Sequence, residues 1–300
     1  MKNLSLLFFI YLNIFSFAQT DTTCIQKLPN DRVFGVHTTL RQFQLSFSTA
    51  NNEPIFFENY NLGMGFRAKY NKLAFSFSIP IANFNDAALE KSKAYALGFG
   101  LYPKSLFIQG DFRFIQGLND LNEGVFRADM SAAYANLYAV HLFNSDHLSL
   151  RSAFNMVDRQ KRSAGSWILS SILEYQYFDT DSLSLRTSNG QLNITRYNSY
   201  KFGLGSGYAQ SIVKGNWSLT GLLSGGLEFR RLYYQASEAS NFRDKFLISP
   251  RLRFFASIIH NGDYFFYGIT SNYLPRLDTA EELNTRIIDW TIRATVGWRL

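Results

Sequence analysis

The sequence predicts an all-β protein, a transmembrane antiparallel β-barrel of 12–14 strands. Three observations lead there. Apolar and polar residues alternate with the period of two that belongs to strands, over runs of 10 to 15 residues. Strands of soluble sandwiches run about 5–6 residues. The apolar faces carry aromatic rings near their ends, as interfacial girdles do. Short turns alternate with longer polar loops, as they do in outer-membrane barrels. Composition agrees: of 300 residues, 46% are hydrophobic and 17% aromatic, with 29 Phe and 17 Tyr, and the net charge is +7. Such a composition excludes a disordered chain, a collagen and a disulfide scaffold. A mean hydropathy of −0.12 excludes a helical membrane bundle.

The chain begins with Lys2, an apolar stretch from Leu4 to Ala18, and small residues at Ser16 and Ala18. That is a secretory signal peptide over 1–18, cleaved after Ala18. Asn13 and the short apolar length argue against a membrane anchor, which needs about 20 apolar residues. Residues 19–39 are expected to form a periplasmic leader, and 40–300 the barrel. Cys24, the one cysteine, has no internal disulfide partner and reads as an incidental residue of the leader.

Thirteen segments alternate clearly. The first is 40–48. In 60–70, Tyr60, Leu62, Met64, Phe66, Ala68 and Tyr70 share one face, with Arg67 and Lys69 on the other. In 72–81, Leu73, Phe75, Phe77, Ile79 and Ile81 form the apolar row. Segment 94–102 follows, then 105–114, where Phe112 and Phe114 oppose Asp111 and Arg113. Next come 126–143 and 147–157, the latter with Leu148, Leu150, Phe154 and Met156 opposite Ser149 and Arg151. Segments 166–178, 199–212 and 216–230 follow; 166–178 and 216–230 each set a row such as Trp217, Leu219, Leu223 and Leu227 against Ser and Glu. In 246–259 the row Ile248, Leu252, Phe254 and Ile258 opposes Arg251 and Arg253, and Phe255 breaks the pattern. Segments 263–273 and 286–300 close the series. In the last, Trp290, Ile292, Ala294, Val296, Trp298 and Leu300 alternate with Arg293 and Arg299.

Turns are expected at Asn71, Pro103-Lys104, 144–146, 214–216 and Asn261-Gly262, where Asn and Gly tolerate positive φ. Longer loops are expected at 49–59, 83–92, 116–125, 232–244 and 274–285. Eleven tilted residues at about 3.4 Å each rise roughly 26 Å, which matches the apolar band of such barrels at about 25 Å. Single-chain bacterial barrels have even strand numbers. A short extra strand at 182–188 gives fourteen; a plug or lid among the thirteen gives twelve.

The run at 144–169 holds Asn144, then Ala153-Phe154, then Arg159-Gln160-Lys161-Arg162-Ser163-Ala164-Gly165-Ser166. It resembles the signature (RQK[KR]SAGS) of a family of outer-membrane barrels of unknown function from the Bacteroidota. Asp181-Ser182-Leu183 and Gly207-Tyr208-Ala209 are similar too. The resemblance implies an outer-membrane location and carries no activity and no catalytic residue.

The residues themselves offer little chemistry. His37, His141, His147 and His260 are not at metal-ligand spacing. Gly203, Gly205 and Gly207 lie in a strand with no following helix, so they are no nucleotide loop. Ser131 and His141 share a face but stand about 34 Å apart along a strand. The expectation is no enzyme, no cofactor and no metal. Basic residues spread around a barrel do not suit nucleic acid.

Charge on the inward faces is the informative feature. An arginine facing lipid at the midplane costs about 2–4 kcal/mol. Arg67, Arg113, Arg151, Arg251, Arg253 and Arg293 are therefore expected to line the lumen. A passive pore with anion preference follows, with a non-conducting structural or assembly barrel acting through its extracellular loops as the alternative. The motif Arg159, Gln160, Lys161, Arg162 and Ser163 is expected in a surface loop, where it could meet lipopolysaccharide phosphates. The C-terminal strand, ending at Leu300, is expected to engage the barrel-assembly machinery.

Overall fold

The alternating runs pair into one closed sheet. The computed structural model describes residues 22–28, 32–49, 53–70, 72–84, 92–154, 156–187, 190–236, 242–279 and 283–300. The expected signal peptide, the first residues of the leader and the turn at Asn71 lie outside them. In chain order the elements are β1 (Ile25–Lys27), β2 (Val33–Ser48), β3 (Ile55–Tyr70), β4 (Leu73–Asn83), β5 (Lys93–Leu101), β6 (Leu106–Asp120) and β7 (Val125–Leu142). A short helix, α1 (Leu150–Phe154), and β8 (Asp158–Gln160) follow. Then come β9 (Ala164–Thr187), β10 (Gly190–Lys214), β11 (Trp217–Ala236), β12 (Phe242–Asn261), β13 (Phe265–Thr279) and β14 (Asn284–Arg299).

The barrel has twelve strands, each antiparallel to its neighbours. The order is β2 to β7, then β9 to β14, and β14 pairs with β2 from Asn284↔Ser48 to Arg299↔Val33. Closure leaves no sheet edge of the kind that lipid would leave unsatisfied. β1 and β8 form a separate two-stranded sheet, with Ile25 opposite Gln160.

Four expectations are corrected here. Residues 147–157 are not a barrel strand: they turn through 143–147 and fold into α1. β7 pairs directly with β9 across this excursion, and Asn144 Nδ2 donates to the Gly165 carbonyl at its base. Twelve strands remain, and the excursion is a plug. Residues 182–187 continue β9 and are not an extra strand. The closing strand begins at Val33, ahead of residue 40. The strands also run far into the expected long loops, so that β6 reaches Asp120 and β11 reaches Ala236. In β6 this takes a bulge between Gln116 and Leu118, with Gly117 at φ 80°, where a side chain would be strained.

The outer wall exposes a belt of large apolar residues, among them Phe66, Phe75, Leu97, Leu173, Phe202, Leu223, Leu252 and Ile269. A water-soluble protein rarely exposes contiguous apolar patches of more than a few hundred Å². Trp217, Tyr264, Tyr267 and Trp298 gather at the short-turn end of this belt, where amphipathic rings suit a membrane interface.

The lumen is packed in three layers. Toward the long-loop end, Leu45, Phe47, Phe57, Leu118, Met130, Phe178, Tyr197 and Leu232 point inward and touch. Phe47 lies 5.2 Å from Phe178 and 5.8 Å from Tyr197 by ring centroids. These positions continue the alternation with its polarity reversed, apolar inward, which is why the strands extend beyond the outward apolar rows. At the short-turn end, Leu148, Leu150 and Ala153 of the plug pack on Tyr102, Phe107, Tyr138, Ile168 and Leu222. Between these apolar layers lies a charged one.

Candidate functional site in the barrel lumen

Alternation places the charged layer. On the inward faces stand Arg41, Arg113, Arg230, Arg251, Arg253, Arg276, Arg293 and Lys201. The acids among them are Asp111, Glu174, Glu228 and Asp289. Cations outnumber acids, and several bonds cross the lumen. Arg113 Nη1 on β6 reaches Asp289 Oδ1 on β14 at 2.6 Å. Arg276 Nη2 on β13 donates to Glu174 Oε2 on β9 at 2.5 Å and also to the Tyr134 hydroxyl. Glu174 further accepts from Tyr134 at 2.9 Å and from Gln176 at 2.7 Å, with Lys201 Nζ 3.3 Å away. Arg230 Nε donates to Ser199 at 2.7 Å, and its Nη1 to Thr285 at 3.3 Å. Buried charges persist where they are paired and hydrogen-bonded, and this mesh does both for Glu174 and Asp289.

Other guanidinium atoms lack such partners. Arg251 lies over the Tyr138 ring, 5.3 Å from its centroid, and its three nitrogens are buried without hydrogen bonds. Arg253 sits 3.7 Å from the same centroid and donates through Nε to Asn272 Oδ1 at 3.1 Å, leaving Nη1 without a partner. Arg293 Nε is likewise buried without a hydrogen bond. Arg67, Arg113, Arg253 and Arg293 all line one cavity of about 80 Å³ together with Asp111, Gln109, Thr270 and Thr291.

The plug is held from three sides. Phe154 stacks on Phe255 at 3.8 Å and lies 4.2 Å from Phe107. Phe255 breaks the apolar row of its strand because it faces inward, onto this plug. Arg67 Nη2 donates to the Phe154 carbonyl at 2.9 Å, and Arg299 Nε to the Met156 carbonyl at 3.1 Å. Met156 is held in the left-handed region, at φ 59°, which side chains adopt only where surroundings impose it. Asp158 accepts from Ser149 at 2.8 Å and lies 3.3 Å from Arg151.

Of the residues expected to line a pore, Arg67, Arg113, Arg251, Arg253 and Arg293 are on inward strand faces. Arg151 is not: it belongs to α1 and pairs with Asp158 inside the plug segment. The motif at 159–163 is also relocated. It lies at the short-turn end, opposite the long loops. Arg159 donates to the Asn261 carbonyl and to Asp263. Gln160 is buried and bonds Ser149 N, the His147 carbonyl and the Arg162 carbonyl. Only Lys161, Arg162 and Ser163 remain exposed. Arg41, Lys201 and Arg276 were not singled out from the sequence. Arg41 and Lys201 lie in the segments expected as strands at 40–48 and 199–212, and Arg276 in the expected loop at 274–285; the same alternation carries all three inward. The Gly203–Gly205–Gly207 run serves close packing: a Cβ at Gly207 would lie 2.0 Å from the Leu223 carbonyl oxygen. Among the described residues, no three His, Cys, Asp or Glu side chains gather to hold a metal.

Fold and lumen together define the class: a closed twelve-stranded antiparallel β-barrel with an apolar outer wall and a filled interior. The chain belongs to the family described as a domain of unknown function (DUF4421), whose model matches residues 19–300. Similar solved structures include the outer membrane protease OmpT from Escherichia coli, at 6% identity over 91% of this chain and 98% of that one, TM-score 0.43. The beta domain of the Bordetella autotransporter BrkA is similar at 13% identity over 89% and 100%, TM-score 0.39. The P. putida toluene transporter TodX is similar at 5% identity over 95% of each chain, TM-score 0.31. No curated protein matches the chain.

Proposed function

We propose that the chain is an outer-membrane β-barrel whose lumen is shut at rest, so that its role does not run through an open pore. One observation carries this reading: two apolar layers, one built on Phe47 and Phe57 and one on the 148–154 plug, fill the lumen on either side of the charged layer. Apolar constrictions stop ion flow by excluding water. Any path opened through both layers would cross the arginine-rich section, and it would favour anions. Outer-membrane placement rests on the apolar belt, the interfacial rings and the signal peptide expected at 1–18.

Conductance of the refolded barrel in a planar bilayer tests this. The unmodified barrel is expected to be silent. A variant with a short turn in place of 145–162, carrying Phe47→Ala and Phe57→Ala, is expected to conduct with an anion-selective reversal potential. Regular conductance steps from the unmodified, heat-modifiable barrel would overturn the closed reading.

A further inference from the structure

We infer that the cavity beside Arg253 and Arg293 is a binding site for a small free oxyanion of the phosphate or sulfate type. Its wall holds Arg67, Arg113, Arg253 and Arg293 against one carboxylate, Asp111. Two of those guanidinium groups are already committed. Arg113 is paired with Asp289, and Arg67 donates to the Phe154 carbonyl. The other two retain capacity. Arg253 is 4% exposed, yet its Nη1 meets no acceptor, and Arg293 Nε is buried without one. Thr291, on the same wall, keeps a buried hydroxyl without a partner. Asp111 already accepts from Gln109 Nε2 at 3.0 Å.

Buried groups that lack partners point to a missing water or ion. Water would hydrate these guanidinium groups without neutralising them, and confined like charges are costly unless compensated. An oxyanion does both, because a guanidinium fork matches two of its oxygens. At about 80 Å³ the cavity has room for one such ion or a few waters, since one water needs roughly 10–15 Å³ on this measure. That size excludes a nucleotide. The inference rests on the closed-lumen reading in one respect: the plug, through Phe154, forms part of the wall.

Equilibrium dialysis of the full refolded barrel in detergent, with radiolabelled inorganic phosphate, tests it without any need for conductance. Saturable binding near one phosphate per barrel is expected. Excess sulfate should displace the label, and phosphatidate vesicles should not. The double variant Arg253→Gln/Arg293→Gln should lower affinity at least tenfold, while the rim variant Arg231→Gln binds as the unmodified chain does. If the double variant does not fold, Thr291→Val in the same wall should still weaken binding. Absence of saturable binding to the unmodified barrel overturns the site, as does displacement by vesicles but not by sulfate. A silent barrel that binds phosphate leaves both readings standing. A conducting one that binds phosphate removes only the closed lumen.

Discussion

Arg276 and Arg231 each hold a carboxylate, Glu174 at 2.5 Å and Asp244 at 2.7 Å. The first pair lies inside the barrel with side chains 1% and 0% exposed; the second lies on the rim at 59% and 44%. Similar geometry has opposite consequences. In water the rim pair gains little, because solvent screens it and two long side chains lose freedom. Inside, neither charge can return to water, so each depends on the other. Removing one partner then exposes the full cost of a stranded ion. Geometry alone does not rank ion pairs; burial does.

The largest way to break this contrast is Glu174→Gln. It takes the carboxylate from Arg276 and from Lys201 at once, and a loss of about 4–5 kcal/mol is expected, at the upper end for broken buried pairs. Urea unfolding of the refolded barrel would show it as a lower midpoint. Next is Phe255→Ala, which removes the ring on which the plug stacks. A loss of about 3–4 kcal/mol is expected for a buried Phe→Ala change, with faster proteolysis within 144–163. Leu223→Arg carries a charge to the outer wall, halfway along the apolar row of β11. About 2–3 kcal/mol is expected there in lipid, with little change in lumen properties. The smallest effect belongs to Arg231→Gln, for which the unfolding midpoint should not move at any salt concentration. A large shift from Arg231→Gln, or none from Glu174→Gln, would overturn the contrast.

What could be read from the sequence follows the same division. The lipid-facing rows are legible because one polarity holds one face for a full crossing, as with Trp217, Leu219, Leu223 and Leu227. Their inward neighbours come with them, Arg251 and Arg253 included. Beyond the outward apolar rows, toward the long-loop end, Leu45, Phe47, Phe57 and Leu232 turn inward. A search for outward apolar faces reads Phe57 and Leu232 as loop and gives no inward role to Leu45 and Phe47, although 40–48 is expected as a strand. The plug misleads for another reason. A segment enclosed by a barrel wall is buried on every side, so Leu148, Leu150, Phe154 and Met156 alternate without pairing to anything. A five-residue helix is too short to show a period of 3.6. The arginine cavity was legible only as a list of inward arginines. Which of them pair across the lumen depends on closure, and Arg113 and Asp289 lie 176 residues apart.

The small β1–β8 sheet bears on how load would travel through the molecule. Ile25, Gln26 and Lys27 pair with Gln160, Arg159 and Asp158, and the Cys24 carbonyl accepts from Lys161 N. In chain order this clasp comes before Val33, where the wall begins. Tension applied ahead of Thr22 therefore reaches β8 first. From there it passes along the chain to Met156 and the α1 segment, and sideways through Arg159 and Asp158 to Asn261. Asn261 ends wall strand β12, so the clasp, the plug and one end of the wall share the load. Mechanically, residues 22–28 are a handle clasped to the segment that carries the plug, and a pull on them would strain the stopper together with the end of β12.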